Sequence, residues 1–332
     1  MSDFWTDIGG LATESQVNTV ACELFPITNR RVLSVQGVDS AKFMQGQFTC
    51  DINEITTSQY RHGACCNAKG RMVANFTLAK QGDDYLLALD TDAANALQAH
   101  LKKYMVFFKS DLNPTDYVMA GLKGPHAKDV LTKVFGGAPN EKHDYAQFSF
   151  EGGIVTQLPF QAGYEIWLSP EHANECIQTL LAHCSLSGSE QWLGNLIQHG
   201  LPLLTQASVE TQIPQMINLA QIGGISFSKG CYTGQEIVAR MQYLGKLKRH
   251  LYQISIQSGN IDSEDSLYTP DSKSPVGTII NAVKQGEASL ALAVIEDKHL
   301  QNPLFADSDL GTAVELLSLP YNPQEDPQNT GS

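Results

Sequence analysis

The chain has 332 residues, of which 42% are hydrophobic and 17% charged, which is enough for two or three domains with a sizeable core. Its formal net charge of -13 argues against broad nucleic-acid binding, because the surface as a whole repels polyanions. No apolar run approaches the length of a membrane-spanning helix, and the first residues lack the basic start and apolar core of a signal peptide. We therefore expect a cytoplasmic protein with no membrane partner.

The seven cysteines and nine histidines give no indication of a metal site. The cysteines show no CxxC spacing, and their odd number leaves one of them unpaired in any complete pairing. The histidines are scattered without the spacing of metal ligands. We expect reduced thiols and no bound metal.

In chain order, residues 1–29 predict an N-terminal arm with a short helix over 16–23. From residue 30 to residue 243, short strands alternate with helices, which is typical of an α+β region. The predicted strands cover 31–36, 73–79, 85–89, 117–122, 153–157 and 163–168. The predicted helices begin at capping or turn residues near 39–40, 90–91, 125, 169–170 and 189.

Two further features complete the predicted architecture. The order of strands and helices over about 115–187 predicts a subdomain of ferredoxin-like type. After residue 249 the pattern changes to strands without helices, which predicts a small antiparallel β-barrel over 244–321. The last residues, 322–332, are rich in Pro, Gln, Asp and Gly, and we expect a disordered tail there.

One stretch, KGCYTGQE beginning at Lys229, concentrates unusual chemistry. Gly230 and Gly234 flank a lone cysteine, so the backbone can adopt turns that present its thiol. Lys229 lies just before Cys231 and Arg240 lies further along, and these cations favour the thiolate over the thiol. A buried structural cysteine in a glycine-rich turn fits the same residues, because free cysteine is among the most buried residue types. On chemistry alone, both interpretations stay open.

The same stretch resembles the KGCYxGQE signature of the YgfZ family, whose members are folate-binding proteins related to the T-protein (aminomethyltransferase) of the glycine cleavage system. Matches to the family extend over about 33–321, which leaves only the two ends outside the pattern. They include 37–40, 44–47, 67–71, 101–104, 191–193, 200–202 and 213–215. The resemblance implies a T-protein-like folate-binding fold.

The resemblance also implies a function. YgfZ-like proteins bind a tetrahydrofolate and support assembly or repair of iron-sulfur clusters in enzymes such as the radical tRNA methylthiotransferases, so any effect on tRNA modification is indirect. One alternative is a folate-dependent aminomethyl or one-carbon transferase. Another is a factor that binds tRNA directly, which the acidic charge balance disfavours.

Two residues match folate-contacting positions of these families. Glu165 lies in Gly-Tyr-Glu, where T-proteins have a folate-binding glutamate, and a carboxylate can accept two parallel hydrogen bonds from the aminopyrimidine edge of a pterin. Trp192 matches a tryptophan implicated in folate binding in YgfZ proteins, where its ring can stack on a pterin or benzoyl group. Considered without the resemblance, Glu165 could face solvent from its strand and Trp192 could anchor the core.

Lys229 and Arg240 belong to a basic stretch that continues to residue 249. We expect this stretch to line a site for an anionic ligand, such as the glutamate tail of folate. A solvated basic face is the alternative interpretation.

Two positions depart from the family patterns. The catalytic acid of T-proteins aligns with Ala74 and Asn75, neither of which can act as a general acid or base. Aminomethyl transfer by the T-protein route is therefore disfavoured. The early folate-contacting tryptophan of YgfZ proteins aligns with Arg30, which changes the expected details of folate contact.

Overall fold

The computed structural model describes residues 4–8, 22–257 and 261–325, whose strands form three sheets that we call A, B and C. The helices are α1 (4–8), α2 (Ser40–Gln45), α3 (Thr91–Met105), α4 (Ala127–Phe135), α5 (Pro170–Leu181), α6 (Ser189–Gln198) and α7 (Gln235–Tyr243). None of the helices in the described ranges is long and apolar enough to cross a membrane.

Sheet A has six strands and carries two helices on one face. Its strands are β1 (Glu23–Ile27), β7 (Val118–Lys123), β8 (Gln147–Phe150), β9 (Gly153–Gln157), β10 (Tyr164–Leu168) and β11 (Ser185–Leu186), in the order β11-β1-β7-β10-β9-β8. Leu131 of α4 and Ile177 of α5 pack in one core cluster with Ile166 of β10. This arrangement confirms the α+β class. The ferredoxin-like subdomain over about 115–187 stays a prediction, because β1, which comes from outside that range, lies between β11 and β7.

The strand β1 comes from residues that the sequence assigns to the N-terminal arm. It pairs with β7 along its whole length, from Glu23 opposite Lys123 to Ile27 opposite Met119. The missing N–H of Pro26 weakens the strand signal in the sequence, because proline cannot donate to a sheet ladder. Burial of Leu24 and Ile27 stabilises the strand nonetheless. The helix expected over 16–23 lies mostly outside the described residues.

Sheet B has five strands, and α3 covers one of its faces. Its strands are β2 (Arg30–Gln36), β3 (Arg61–Cys66), β4 (Met72–Gln81), β5 (Asp84–Asp90) and β6 (Asp111–Pro114), in the order β3-β4-β5-β2-β6. Asp90 caps α3 as expected, since its side chain accepts hydrogen bonds from the backbone N–H groups of Asp92 and Ala93. Leu97 and Leu101 are fully buried against the sheet.

Sheet C is the predicted antiparallel barrel. Its strands are β12 (Arg249–Ile256), β13 (Ser266–Leu267), β14 (Gly277–Gln285), β15 (Ala288–Glu296), β16 (Leu304–Phe305) and β17 (Ala313–Leu317), in the order β13-β14-β15-β12-β17-β16. Tyr268, which directly follows the edge strand β13, and Phe305 of the other edge strand, β16, exchange backbone hydrogen bonds of 2.8 and 2.9 Å. The six-stranded sheet is thereby nearly closed, and the barrel prediction is confirmed.

One apolar cluster joins the three sheets. It contains Trp167 of sheet A, Ala88 of sheet B and Leu292 of sheet C, together with Trp192 of α6. Because every sheet contributes buried side chains to this cluster, the sites described below lie between sheets rather than within one of them.

Two local features differ from expectation. The helix α7 begins within the KGCYTGQE stretch, at Gln235, and runs on to Tyr243, where the sequence predicted no element. At the other end, the first residues of the expected tail make contacts: the Gln221 amide donates to the carbonyl of Pro323 at 2.9 Å, and the Gln324 amide donates to the Tyr252 hydroxyl at 3.0 Å. The expected disorder therefore does not describe residues 322–325, whose backbone and side chains have partners.

Candidate functional site

Cys231 is exposed, whereas the other cysteines are not. Five of the seven are buried and Cys176 is half-buried. The interpretation of Cys231 as a buried structural residue is therefore wrong, because its loop lies at the surface. An accessible sulfur is the first requirement for a thiol that reacts with another molecule or binds iron.

The loop that carries Cys231 is anchored to the neighbouring loop by Lys229, two residues before the cysteine. Lys229 is only 8% exposed, and its ammonium donates hydrogen bonds to the carbonyls of Phe48 at 2.8 Å and Cys50 at 2.7 Å. The same ammonium lies 5.2 Å from the centre of the Tyr232 ring, within the range of a cation–π contact. Burial lowers the pKa of Lys229 to about 8. The lysine therefore fixes the loop.

The glycine after Cys231 allows a second close contact. Gly234 has a φ of +85°, and a Cβ on it would lie 2.6 Å from the carbonyl oxygen of Asn67. Gly70 packs in turn against Ile237 of α7, where an added Cβ would lie 2.8 Å from the Ile237 Cβ. The turn over 67–71 thus packs against the start of α7. Three stretches that match the family signature, 44–47, 67–71 and 229–236, meet at this place, because the Thr233 N–H also donates to the Gly46 carbonyl at 3.1 Å.

The two cations that the sequence places near the thiol have different surroundings. Lys229 is occupied by backbone carbonyls, and Arg240 is exposed on α7. Within the described ranges, no hydrogen bond joins either cation to the Cys231 sulfur. Their proposed roles in thiolate formation and in ligand binding remain predictions.

Glu165 is completely buried and forms an ion pair with Arg30, which is 2% exposed. The Arg30 guanidinium also donates to the Ala88 carbonyl at 3.0 Å and to the Thr77 hydroxyl at 3.3 Å. The indole N–H of Trp167 reaches the second oxygen of Glu165 at 3.4 Å. This network connects β10 of sheet A to β2, β4 and β5 of sheet B. The interpretation of Glu165 as a solvent-facing strand residue is wrong.

A small cavity adjoins the ion pair. Its volume is about 30 Å³, which is enough for about two water molecules. The lining includes Arg30, Glu165, His62, Asn75 and Leu196. Burial and the neighbouring arginines lower the pKa of His62 to about 3, so its ring is neutral at physiological pH.

Trp192 is a buried neighbour of Glu165. It is 2% exposed, lies over Gly121 in β7, and has its ring centre 5.3 Å from that of Phe25. Gly121 pairs directly with Glu165 across β7 and β10, so both positions face the same side of sheet A. A Cβ at Gly121 would lie 2.4 Å from the indole, which shows how closely the ring covers the sheet. The indole N–H has no partner among the described residues.

The two residues at the T-protein acid position, Ala74 and Asn75, are buried in the core and in a hydrogen-bonded contact. Ala74 is fully buried. The side chain of Asn75 donates to the Pro202 carbonyl at 2.8 Å and accepts from the Leu204 N–H at 2.8 Å. These two bonds use the amide as both donor and acceptor, and an ionised carboxylate at this position could only accept.

A larger, open cleft that no sequence motif predicted lies next to the cysteine loop. Its volume is about 570 Å³, within the usual range for small-molecule sites. Three acids line it, Asp51, Glu54 and Asp144, together with aromatic rings and a single arginine, Arg61. The residues 225–228, just before the cysteine loop, form one wall. No local motif announces the cleft, because its lining comes from four separate parts of the chain.

An aromatic wall separates the open cleft from the small cavity. Tyr60, His62 and Tyr145 meet edge to face, with ring centres 5.4 to 6.0 Å apart. His62 lines the small cavity and Tyr145 lines the cleft. A molecule in the cleft is therefore only one layer of rings away from the Arg30–Glu165 pair.

The residues around Glu165 do not fit a pterin ring as they stand. Arg30 already takes the carboxylate that would receive the aminopyrimidine edge, and the adjoining cavity is far smaller than two fused rings. No group of three or more His, Cys, Asp or Glu in the described part of the chain is arranged to hold a metal ion.

Comparisons with known proteins agree with the motifs. The family described as GCVT N-terminal domain matches residues 8–191. The chain is 31% identical over 310 residues to the tRNA-modifying protein YgfZ of Escherichia coli O7:K1 (strain IAI39 / ExPEC), covering 91% of this chain and 94% of that protein. The YgfZ of Shigella dysenteriae serotype 1 (strain Sd197) has the same identity and coverage.

A solved structure supports the fold independently. The glycine cleavage system aminomethyltransferase T from Bartonella henselae superposes with a TM-score of 0.73 at 18% identity, covering 92% of this chain and 88% of that one. An identity this low shows a shared fold and no more. Together with the sequence matches, it confirms the predicted T-protein-like architecture. The chain belongs to the YgfZ family, within the wider group that shares the GCVT N-terminal domain.

Proposed function

We propose that this protein supports the assembly or repair of iron-sulfur enzymes that modify tRNA, and that Cys231 is its functional residue. The observation that carries the proposal is the exposed thiol on a loop fixed by Lys229 and Gly234. The relatives are named tRNA-modifying proteins, which agrees with an effect on tRNA. A cysteine sulfur can ligate iron or attack an electrophile, so a presented thiol suits a client that carries or receives a cluster.

We propose that the effect on tRNA is indirect and takes place in the cytoplasm. The formal net charge of -13 opposes a long contact with the phosphate backbone. Client enzymes such as the radical tRNA methylthiotransferases would provide the contact with tRNA. A direct tRNA-binding role would require a basic surface that the composition does not favour.

The proposed small-molecule ligand is a tetrahydrofolate. Its support is the T-protein-like fold, together with the placement of Glu165 and Trp192 on one side of sheet A. Entry of the pterin to Glu165 requires movement of Arg30. The residues of this chain would then bind and orient the ligand, with Glu165 accepting hydrogen bonds and Trp192 supplying an aromatic face.

The decisive experiment is complementation with Cys231→Ala. In cells that lack the native protein, we expect the variant to be stably expressed yet to leave tRNA methylthiolation and iron-sulfur enzyme activity unrestored. Cys176→Ala is the matched control, because Cys176 is the half-buried thiol and should be dispensable. Full complementation by Cys231→Ala would remove the cysteine from the mechanism.

A folate-dependent aminomethyl transferase is the second candidate, since the fold is that of an aminomethyltransferase. The amide of Asn75 opposes it, because this side chain links β4 to the segment at 202–204 and does not ionise in the physiological range. An assay of the purified protein for aminomethyl transfer separates the two candidates. Robust turnover would favour the transferase.

A further inference from the structure

The Arg30–Glu165 pair has the chemistry of a filled binding site. A carboxylate that is completely buried needs a partner with matching donors, since leaving it unpaired is costly. Arg30 supplies that partner from β2 of the neighbouring sheet, while Trp167 supplies a weaker contact from β10 itself. The guanidinium Nε has no partner, and the adjoining cavity is not filled by side chains.

In this structure the Nη1 of Arg30 donates to one oxygen of Glu165 and the Nη2 donates elsewhere, although a guanidinium can present parallel N–H donors to a carboxylate. The edge of a 2-aminopyrimidine or a pterin that combines an amino group with a ring N–H presents the same donors in one plane. The two groups are therefore alternatives for the same acceptor, Glu165. They cannot both occupy it, because the cavity beside the pair holds only about two waters.

We infer that Arg30 is a built-in occupant of the Glu165 subsite and decides which ligand can enter it. A ligand with a cyclic amidine or guanidine edge reaches Glu165 only by displacing the guanidinium. The Ala88 carbonyl and the Thr77 hydroxyl already bind the other nitrogen of Arg30, so the displaced side chain keeps part of its hydrogen bonding. The identity of the natural ligand rests on the proposed folate function. The occupancy of the Glu165 subsite by Arg30 does not depend on that function.

The first test uses a small probe that is independent of folate. Arg30→Ala removes the occupant, and isocytosine, which carries the amidine edge alone, is the probe. We expect isocytosine to raise the melting temperature of Arg30→Ala by roughly 2 to 5 °C at saturation and to leave the unsubstituted protein unchanged. Arg30→Ala/Glu165→Gln is the matched control, because it has the same hole without the carboxylate and should not respond. Equal shifts in all three proteins, or none in Arg30→Ala, would overturn the inference.

The second test covers the case in which Arg30→Ala does not fold. Arg30→Lys keeps a positive charge beside Glu165 but has no planar set of donors, so it is easier to displace. We expect its tetrahydrofolate affinity, measured by calorimetry, to exceed that of the unsubstituted protein by on the order of tenfold. If the unsubstituted protein binds tetrahydrofolate, an affinity of Arg30→Lys that is unchanged or lower would overturn the inference.

The two tests also distinguish this inference from the proposed function. Stabilisation of Arg30→Ala by isocytosine, with no folate binding by any protein, supports the occupancy and removes folate as the ligand. Folate binding that Arg30→Lys leaves unchanged, with no response to isocytosine, supports the folate function and overturns the role of Arg30.

Discussion

The two buried cations Lys229 and Arg30 differ in the partners that bind them. Lys229 is bound by the neutral carbonyls of Phe48 and Cys50, and the loop it fixes exposes Cys231 to solvent. Arg30 is bound by the charged side chain of Glu165 in a site that contains almost no free space. Lys229 fixes a loop that exposes the Cys231 thiol, whereas Arg30 fills the space beside the Glu165 carboxylate.

The choice of residue type follows from these partners. A lysine beside neutral acceptors can lose its proton, and burial already lowers the pKa of Lys229 to about 8. Arginine differs from lysine in keeping its charge in proteins and in presenting a planar set of donors, which suits a carboxylate partner such as Glu165. The comparison teaches that a buried lysine bound by neutral carbonyls can lose its proton, whereas an arginine paired with a carboxylate keeps its charge; we call Lys229 the adjustable cation and Arg30 the permanent one.

The largest expected effect comes from removing the permanent cation. Arg30→Met deletes the charge and leaves the Glu165 carboxylate buried without a cationic partner. We expect a loss of about 3 to 5 kcal/mol in the free energy of unfolding, the usual cost of breaking a buried ion pair on one side. Urea unfolding measures it, and Arg30→Met/Glu165→Gln should recover much of the loss. A single variant as stable as the double variant would contradict a charged pair.

A smaller effect is expected at the adjustable cation. Lys229→Met leaves the carbonyls of Phe48 and Cys50 without their side-chain donor, which costs roughly 1 to 3 kcal/mol at neutral pH. Iodoacetamide labelling of Cys231 should change as the loop loses its anchor. Unfolding in urea and the labelling rate are the two measurements. An unaltered labelling rate would show that the lysine does not control the loop.

The pH dependence of the Lys229 contribution has a definite sign. Its pKa is about 8 in the folded protein against an ordinary value of 10.5, so between these two pH values the folded state binds fewer protons than the unfolded state. Stability relative to Lys229→Met therefore rises with pH across this window, and both carbonyls keep a donor because the neutral amine still has N–H groups. A stability difference between the unsubstituted protein and Lys229→Met that falls with pH would contradict the lowered pKa of Lys229.

The smallest effect is expected at the thiol itself. Cys231→Ser changes an exposed side chain with no hydrogen-bond partner among the described residues, so stability should change by less than about 0.5 kcal/mol. Cys50→Ser is the buried comparison and should cost more, because it places a more polar hydroxyl where the buried thiol packs in the core. Thermal unfolding of the two variants checks the contrast. Equal losses would contradict the difference in exposure.

The sequence by itself determined the parts that depend on neighbours along the chain. The cap at Asp90 and the apolar face of Leu97 and Leu101 predicted α3 correctly, because caps and helical periodicity are local. Alternation and turns likewise predicted the main strands of the barrel. The contiguous KGCYTGQE stretch identified the family, which the 31% identity confirmed.

Only the tertiary structure decided what the candidate site residues contact. Arg30 and Glu165 are 135 residues apart in sequence, and Lys229 lies 181 residues from one of its carbonyl partners. No periodicity or spacing reports on pairs so distant, because they meet only when β2 and β10 of different sheets pack together. The sequence therefore marked Arg30 as a departure and Lys229 as a cation near a thiol. The packing of sheets A and B gave Arg30 its partner, and the packing of the cysteine loop against the loop after α2 gave Lys229 its two carbonyls.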